Sequence, residues 1–216
     1  MNIIIFGPPG AGKGTQADKI KKDYNLYKIS TGDLLRKEIE EKTNLGDKIK
    51  TSIDKGSFVS DEIVENLITK ILSDDKFHNK IIFDGYPRNL NQAIKLTSLF
   101  KTHNHKLTCA LSLNVDKEII VKRILGRQIC TKCGMIFNKL LNPTETNKHA
   151  CGDKFMQKRS DDNQETVINR YDTYNKVTLP MLDYYRKEKL LHEINGMREI
   201  DQIYDEIRDI INSLET

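Results

Sequence analysis

A chain of 216 residues, 38% hydrophobic and 31% charged, is long enough to bury the core of one ordinary domain, which excludes a disulfide-held miniprotein. Its longest apolar runs, residues 3–6 and 81–83, fall far short of the roughly 18 residues a membrane span needs. A formal charge of +4 from 35 basic and 31 acidic residues is too small to mark a nucleic-acid binder by bulk electrostatics.

The first expected element is a buried strand over residues 2–6, so close to Met1 that no export signal fits ahead of it, and a cytoplasmic protein is expected. The segment Gly7-Pro8-Pro9-Gly10-Ala11-Gly12-Lys13-Gly14-Thr15-Gln16 then opens a helix, the context a phosphate-binding loop requires. Glycines there let successive N–H groups converge on an anion, the helix N-terminus adds its dipole, and Lys13 reaches the β- and γ-phosphates. Gly14 stands where Ser or Thr usually follows the lysine, and Thr15 comes one residue late. Further strands are expected at residues 26–30, 80–84, 107–115 and 190–194, alternating with helical periodicity. That alternation reads as α/β architecture with a mainly parallel five-stranded sheet flanked by helices. Asp116 is the expected N-cap of a helix carrying Ile119, Ile120, Ile124 and Leu125. The final helix, with Ile200, Ile203, Ile207, Ile210, Ile211 and Leu214 on one face, reads as core packing.

Two stretches interrupt the alternation. Residues 30–59 begin a helix near Thr31, Gly32 and Asp33 and hold no strand, while residues 126–162 carry turn chemistry at Asn142-Pro143 and a cysteine cluster. Both read as insertions on a core made of residues 1–29, 60–125 and 163–216, and long irregular insertions of this kind are usually lids or binding segments. Asp84 ends an apolar strand, so its carboxylate projects beside the phosphate loop, where it can hold Mg²⁺ through water. Of the 35 basic residues only nine are Arg, so the arginines mark places where a planar bidentate cation is required. Cys130-Thr131-Lys132-Cys133-Gly134, followed by Cys151, offers thiolates to a tetrahedral Zn²⁺. Cys109, inside an expected strand, reads as a small buried apolar residue.

The Gly-Lys-Gly-Thr departure begins a resemblance to a known family. Ser30-Thr31-Gly32-Asp33-Leu34-Leu35-Arg36, Phe83-Asp84-Gly85-Tyr86-Pro87-Arg88 with Gln92, Arg123-Ile124-Leu125-Gly126-Arg127, and Arg159-Ser160-Asp161-Asp162 with Arg170 follow in order along nearly the whole chain. Together they resemble the nucleoside monophosphate kinases, adenylate kinases in particular, with a long lid of the zinc-binding type. The resemblance implies a P-loop fold in which residues 30–59 bind AMP and 126–162 form the lid. It implies the reaction ATP + AMP ⇌ 2 ADP, with Lys13, Asp84, Arg88, Arg127, Arg159 and Arg170 at the phosphoryl transfer. On the ATP side it implies Gly10, Ala11, Gly12, Lys13, Gly14, Thr15, Arg123, Arg127, Ile136, Phe137 and Arg198. On the AMP side it implies Thr31, Arg36, Ser57, Val59, Gly85, Arg88, Gln92, Arg159 and Arg170, with Thr31 also the N-cap of its helix. Besides Arg198, six of the nine arginines, Arg36, Arg88, Arg123, Arg127, Arg159 and Arg170, thus fall at positions assigned to phosphates or adenine, as expected where catalysis rests on charge neutralisation rather than on a covalent nucleophile. Arg186 and Arg208 read as solvated surface.

Zinc-bearing lids of the resembling family close with a second pair, Cys-x2-Cys or Cys-x2-Asp. Here Lys154 stands three beyond Cys151, so Asp153 is the expected fourth ligand, with His149 as the alternative and a metal-free lid as the reading against both. Expected partners are ATP, AMP and ADP with Mg²⁺, no nucleic acid and no membrane, for a monomer. Rivals are a kinase of the same fold acting on UMP or CMP or using GTP, and a zinc-ribbon RNA- or protein-binding module, which predicts aromatic residues around the cysteines beyond Phe137 and Phe155.

Overall fold

The computed structural model describes residues 1–55, 58–139 and 149–215. Eight strands run along the described chain: β1 (Asn2–Phe6), β2 (Tyr27–Ser30), β3 (Ile81–Asp84), β4 (Leu107–Asn114), β5 (Arg127–Cys130), β6 (Ile136–Asn138), β7 (Met156–Gln157) and β8 (Leu191–Asn195). The helices are α1 (Lys13–Asp23), α2 (Thr31–Glu40), α3 (Asn44–Asp54), α4 (Asp61–Leu72), α5 (Leu90–Thr102), α6 (Lys117–Leu125), α7 (Gln164–Thr173), α8 (Leu179–Lys187) and α9 (Ile200–Glu215), with a π-helical turn, Tyr174–Thr178, joining α7 to α8.

Five strands form one parallel sheet in the order β2-β3-β1-β4-β8, each within one residue of the expected bounds. β1 is central and buried at every position. Ile4 and Phe6 face one core layer with Ile81 and Phe83, and Ile3 and Ile5 face the other with Ile82, Leu111 and Leu113. A strand covered on both faces reads as a continuous apolar run, which is why β1 and β3 stand out in the sequence. Side chains of α4, α5 and α8 close the first layer, and those of α1, α6 and α9 the second. In α9 the expected stripe divides: Ile203, Ile207 and Ile211 are buried, whereas Ile200 is 42% exposed and borders the cleft described below.

Residues 30–59 carry α2 and α3 and no strand. The N-cap of α2 is Ser30, whose Oγ accepts from Asp33 N–H, and not Thr31 as expected. Thr31 is already helical and buried, and its hydroxyl donates to the Gly85 carbonyl at 2.8 Å. α3 is capped by Thr43, and Gly46 lets it approach α2 so closely that a Cβ there would lie 2.1 Å from the Glu38 carbonyl oxygen. The second insertion folds around a three-stranded antiparallel sheet, β6-β5-β7. At the edge of the main sheet away from the strand C-termini, His105 is buried in a structural network, its Nδ1 meeting Asn2 Nδ2 at 3.3 Å and its Nε2 the Leu72 carbonyl at 3.2 Å.

Candidate active site

The C-terminal ends of β2 and β3, the glycine loop, the second insertion and the turn after β8 enclose a cleft of about 560 Å³. The loop's shape follows from its glycines. Gly10 has φ +80°, and a Cβ on it would fall 2.7 Å from Ile124 Cγ1; Gly12, at φ +97°, is the left-handed N-cap of α1. Gly10, Ala11, Gly12, Lys13, Gly14 and Thr15 all line the cleft, as expected for a phosphate cradle. Lys13 folds back to donate from Nζ to the Gly7 and Pro8 carbonyls at 2.8 and 2.9 Å. Burial lowers its pKa to about 8; Asp84 pulls it up, while Arg170, Arg88 and Arg127 push it further down. Asp84 Oδ2 lies 3.5 Å from where a Gly14 Cβ would be. Asp84 thus presents to the cleft, beside Gly14, a carboxylate of the kind that holds a hard cation through its water.

The arginines converge on this cleft: Arg36, Arg88, Arg123, Arg127, Arg159, Arg170 and Arg198 all line it. Burial lowers the pKa of Arg88 and Arg159 to about 10 each, with neighbouring guanidinium groups adding to the effect. Cations held this close resist burial unless an anion joins them, and carboxylates that sequence reasoning left without a role take that part. Arg127 is bidentate to Asp162, with Nε–Oδ2 at 2.8 Å; Arg170 meets Asp161 at 2.7 Å; and Asp33 holds Arg36 and, at 3.6 Å, Arg159. Burial alone would raise the Asp33 pKa, but Arg36 and Arg159 hold it below the ordinary carboxylate value. The Arg159–Asp33 pair also joins the second insertion to the first. Among the described residues Arg88 pairs with no carboxylate: its Nε donates to the Gly85 carbonyl at 2.7 Å and its guanidinium lies over Phe58.

Asp162 has a fully buried side chain. Asp162→Ala leaves Arg127 uncompensated, and the expected loss is about 3 kcal/mol, the lower end for a broken buried pair because Arg127 borders the open cleft. Thermal unfolding of the ligand-free variant measures it, with a fall of roughly 6–12 °C expected.

Beyond Gly85 and Arg88, which border both, a separate small apolar cavity of about 20 Å³ lies between Thr31, Leu35, Val59, Val64 and Gln92. Gln92 is held by the Arg88 N–H at its Oε1, 2.8 Å, and by Asp61 at its Nε2, 2.6 Å. Ser57 lies outside the described residues. At the other end, Arg123 Nη1 donates to the Gly196 carbonyl at 2.9 Å, and Met197, Arg198 and Ile200 complete the wall. Ile136 and Phe137 reach the cleft from the lid, joined by Asn138, which donates to the Arg123 carbonyl. Arg186 and Arg208 are half-exposed in local ion pairs, as expected.

In the second insertion, ligand atoms of Cys130, Cys133, Cys151 and His149 all lie within 4.8 Å of one another, and His149 Nε2 is 3.4 Å from Cys133 Sγ. Asp153, the expected fourth member, is outside this group. A turn in which the Gly152 N–H meets the His149 carbonyl, with Gly152 at φ +85°, brings His149 to the thiols, while Asp153 starts a short 3-10 helix instead. Burial acts to raise the Cys130 thiol, but hydrogen bonds from Cys133, His149 and Lys132 outweigh it and bring the pKa down to about 6. Three thiols and an imidazole are the donor set of a closed tetrahedral zinc site. Cys109 is buried in β4, and burial raises its thiol to about 12. Phe137 is turned to the cleft and to His149, and Phe155 lies beneath Lys132 and Lys154, so the described residues of the second insertion present no aromatic platform beyond these two.

The family model described as adenylate kinase matches residues 5–190 of this chain. Among curated proteins, the adenylate kinase of Pelagibacter ubique is 50% identical over 211 residues, spanning 98% of this chain and 99% of the relative. Those of Limosilactobacillus reuteri and Archaeoglobus fulgidus are each 39% identical, over 216 and 218 residues, and each alignment covers 99% or more of both chains.

Proposed function

The chain belongs to the adenylate kinase family and transfers the terminal phosphoryl group of ATP reversibly to AMP, giving two ADP; on that premise we propose which of its residues carry the reaction. The observation that supports the assignment best is the cleft in which Lys13, Arg36, Arg88, Arg127, Arg159 and Arg170 stand between a donor arm, at the glycine loop and Arg123, and an acceptor arm, where Gly85 and Arg88 also border the small cavity of Thr31, Val59 and Gln92. In this reading residues 30–59 bind AMP, residues 126–162 form the lid, and the rest is the core.

Arg36 and Arg88 hold the AMP phosphate, and the adenine is directed toward Thr31, Val59 and Gln92. The glycine-loop N–H groups and Lys13 hold the donor phosphates, while Arg123 and Arg198 flank the donor base. An oxygen of the AMP phosphate attacks the γ-phosphorus, the bond to the β–γ bridging oxygen breaks, and its electron pair leaves on ADP. Arg127, Arg159 and Arg170 neutralise the charge that spreads over the equatorial oxygens. Asp33, Asp161 and Asp162 keep these guanidinium groups apart and aimed until nucleotide phosphates take their place. Mg²⁺, held through water by Asp84, supplies further charge neutralisation on the donor phosphates. In the lid, Zn²⁺ held by Cys130, Cys133, Cys151 and His149 supplies rigidity rather than chemistry, because four protein ligands leave no open position. Closure of the lid excludes water, which otherwise accepts the phosphoryl group. Both nucleotide arms belong to one chain, which favours a monomer, and free thiols and ATP together favour the cytoplasm.

Two measurements test this. ADP formation with AMP, UMP, CMP and GMP against ATP and GTP is expected to be fastest with AMP and ATP; a preference for UMP, CMP or GTP overturns the substrate assignment. A dinucleotide joining two adenosines through five phosphates is expected to bind at least 100-fold more tightly than ATP or AMP, because one molecule fills both arms. Comparable affinities by calorimetry count against paired subsites.

A further inference from the structure

Lys28 is a cation that the reaction as described leaves unused. It sits on β2, the edge strand, yet its side chain is only 16% exposed. Surface lysines such as Lys37, at 69%, lie open to water. Lys28 Nζ meets Asp18 Oδ1 at 2.7 Å and the Gly14 carbonyl at 3.5 Å, and the residue lines the nucleotide cleft. An ammonium has three donors, and one short and one long contact leave capacity on the cleft side.

The position of this ammonium is what gives it a role. A Cβ on Gly14 would lie 3.5 Å from Asp84 Oδ2 and 3.9 Å from Lys28 Nζ, so carboxylate and ammonium border the same small volume. In a phosphate loop with Ser or Thr after the lysine, that side chain's hydroxyl serves the metal. Here Gly14 provides no oxygen, and a fixed positive charge tethered to α1 by Asp18 flanks the space instead.

We propose that Lys28 is a specificity residue for the charge state of the donor nucleotide: its ammonium takes up part of the polyphosphate charge beside Asp84, so that the enzyme holds metal-free ATP better than it would without Lys28. A metal-bound nucleotide has already lost much of that charge and gains less from Lys28. A divalent cation at Asp84 is opposed by the ammonium. Lys28 therefore narrows the difference in affinity between ATP and Mg-ATP. The inference rests on the adenylate kinase reading of the cleft, and the test separates the two, since ADP formation by the wild type tests that reading alone.

Dissociation constants of ATP in EDTA and of ATP with saturating Mg²⁺ are measured by calorimetry for the wild type, Lys28→Gln and Lys28→Arg, together with their unfolding midpoints. In Lys28→Gln the ratio of the metal-free to the metal-bound constant is expected to rise about fivefold, the upper range for a partly exposed ion pair. Lys28→Arg keeps the charge and is expected to restore most of the ratio, with both midpoints within about 2 °C of wild type. A ratio unchanged in Lys28→Gln, whether both constants move together or neither moves, overturns the proposal and reduces Lys28 to a structural partner of Asp18. A ratio that rises equally in Lys28→Arg overturns it too, because charge is then not the cause.

Discussion

Arg88→Ala is expected to lower kcat by about 10³-fold while the fold survives. Removing one preorganised charge from a phosphoryl-transfer site costs about 10²–10³ or more, because nothing mobile can replace it in a site closed to water. Arg88 is more exacting than its neighbours because among the described residues it pairs with no carboxylate and is held by the Gly85 carbonyl and Phe58. The fold survives because the cation itself is costly where it stands: burial, then Arg170, lower its pKa to about 10. Arg88→Lys is not expected to rescue the rate, since a point charge cannot make the two parallel contacts of a guanidinium. Single-turnover rates with circular dichroism as the control for folding decide the matter, and wild-type turnover in Arg88→Ala sinks the assignment.

Lys13 obeys the same logic with a pH signature. Its pKa falls from 10.5 to about 8 on folding, so between these values the unfolded chain binds the extra proton. Stability then rises with pH through that window, and below about pH 8 the folded protein carries the full cost of a buried charge. Lys13→Met is expected to lose activity by a similar factor, and urea titrations across the window are expected to show the ligand-free wild type gaining stability on it as pH rises.

Loss of the metal proposed for the second insertion is the second large expected effect. Between Arg127 and Lys158, the described residues include one buried apolar side chain, Cys130. A segment with so small a core gains little stability from burial, and in the zinc reading proposed above the ion replaces the missing core. Chelation or Cys130→Ser is therefore expected to lower the unfolding midpoint by 10 °C or more, at roughly 2–4 °C per kcal/mol for a chain of this size. Lys13, Asp84 and the core arginines lie outside the metal cluster, so substantial activity is expected to survive when cold. The ligand assignment is tested at the same time. His149→Ala is expected to lose zinc and Asp153→Ala to retain it, by metal analysis of the purified proteins; stoichiometric zinc in His149→Ala together with its loss in Asp153→Ala restores the carboxylate, and no zinc in the wild type removes the site.

The sequence alone determined the parts whose physics is local or periodic. Strands buried on both faces appear as short apolar runs at residues 2–6 and 81–84. The phosphate loop is legible because the chain turn, the glycines and Lys13 are contiguous, and the scarcity of arginine made each one conspicuous. What only the tertiary structure decided are pairings between segments far apart in the chain. Asp162 as partner of Arg127, Asp33 as the link to Arg159, and Lys28 beside Gly14 and Asp84 depend on how lid, insertion and sheet dock, and no spacing rule encodes that docking. The same reason accounts for the two corrected expectations. Counting from Cys151 favours Asp153, but the turn at Gly152 brings His149 to the thiols; helix-cap chemistry allows Thr31 or Ser30, and the Gly85 carbonyl on the neighbouring strand's turn claims the Thr31 hydroxyl, leaving the cap to Ser30.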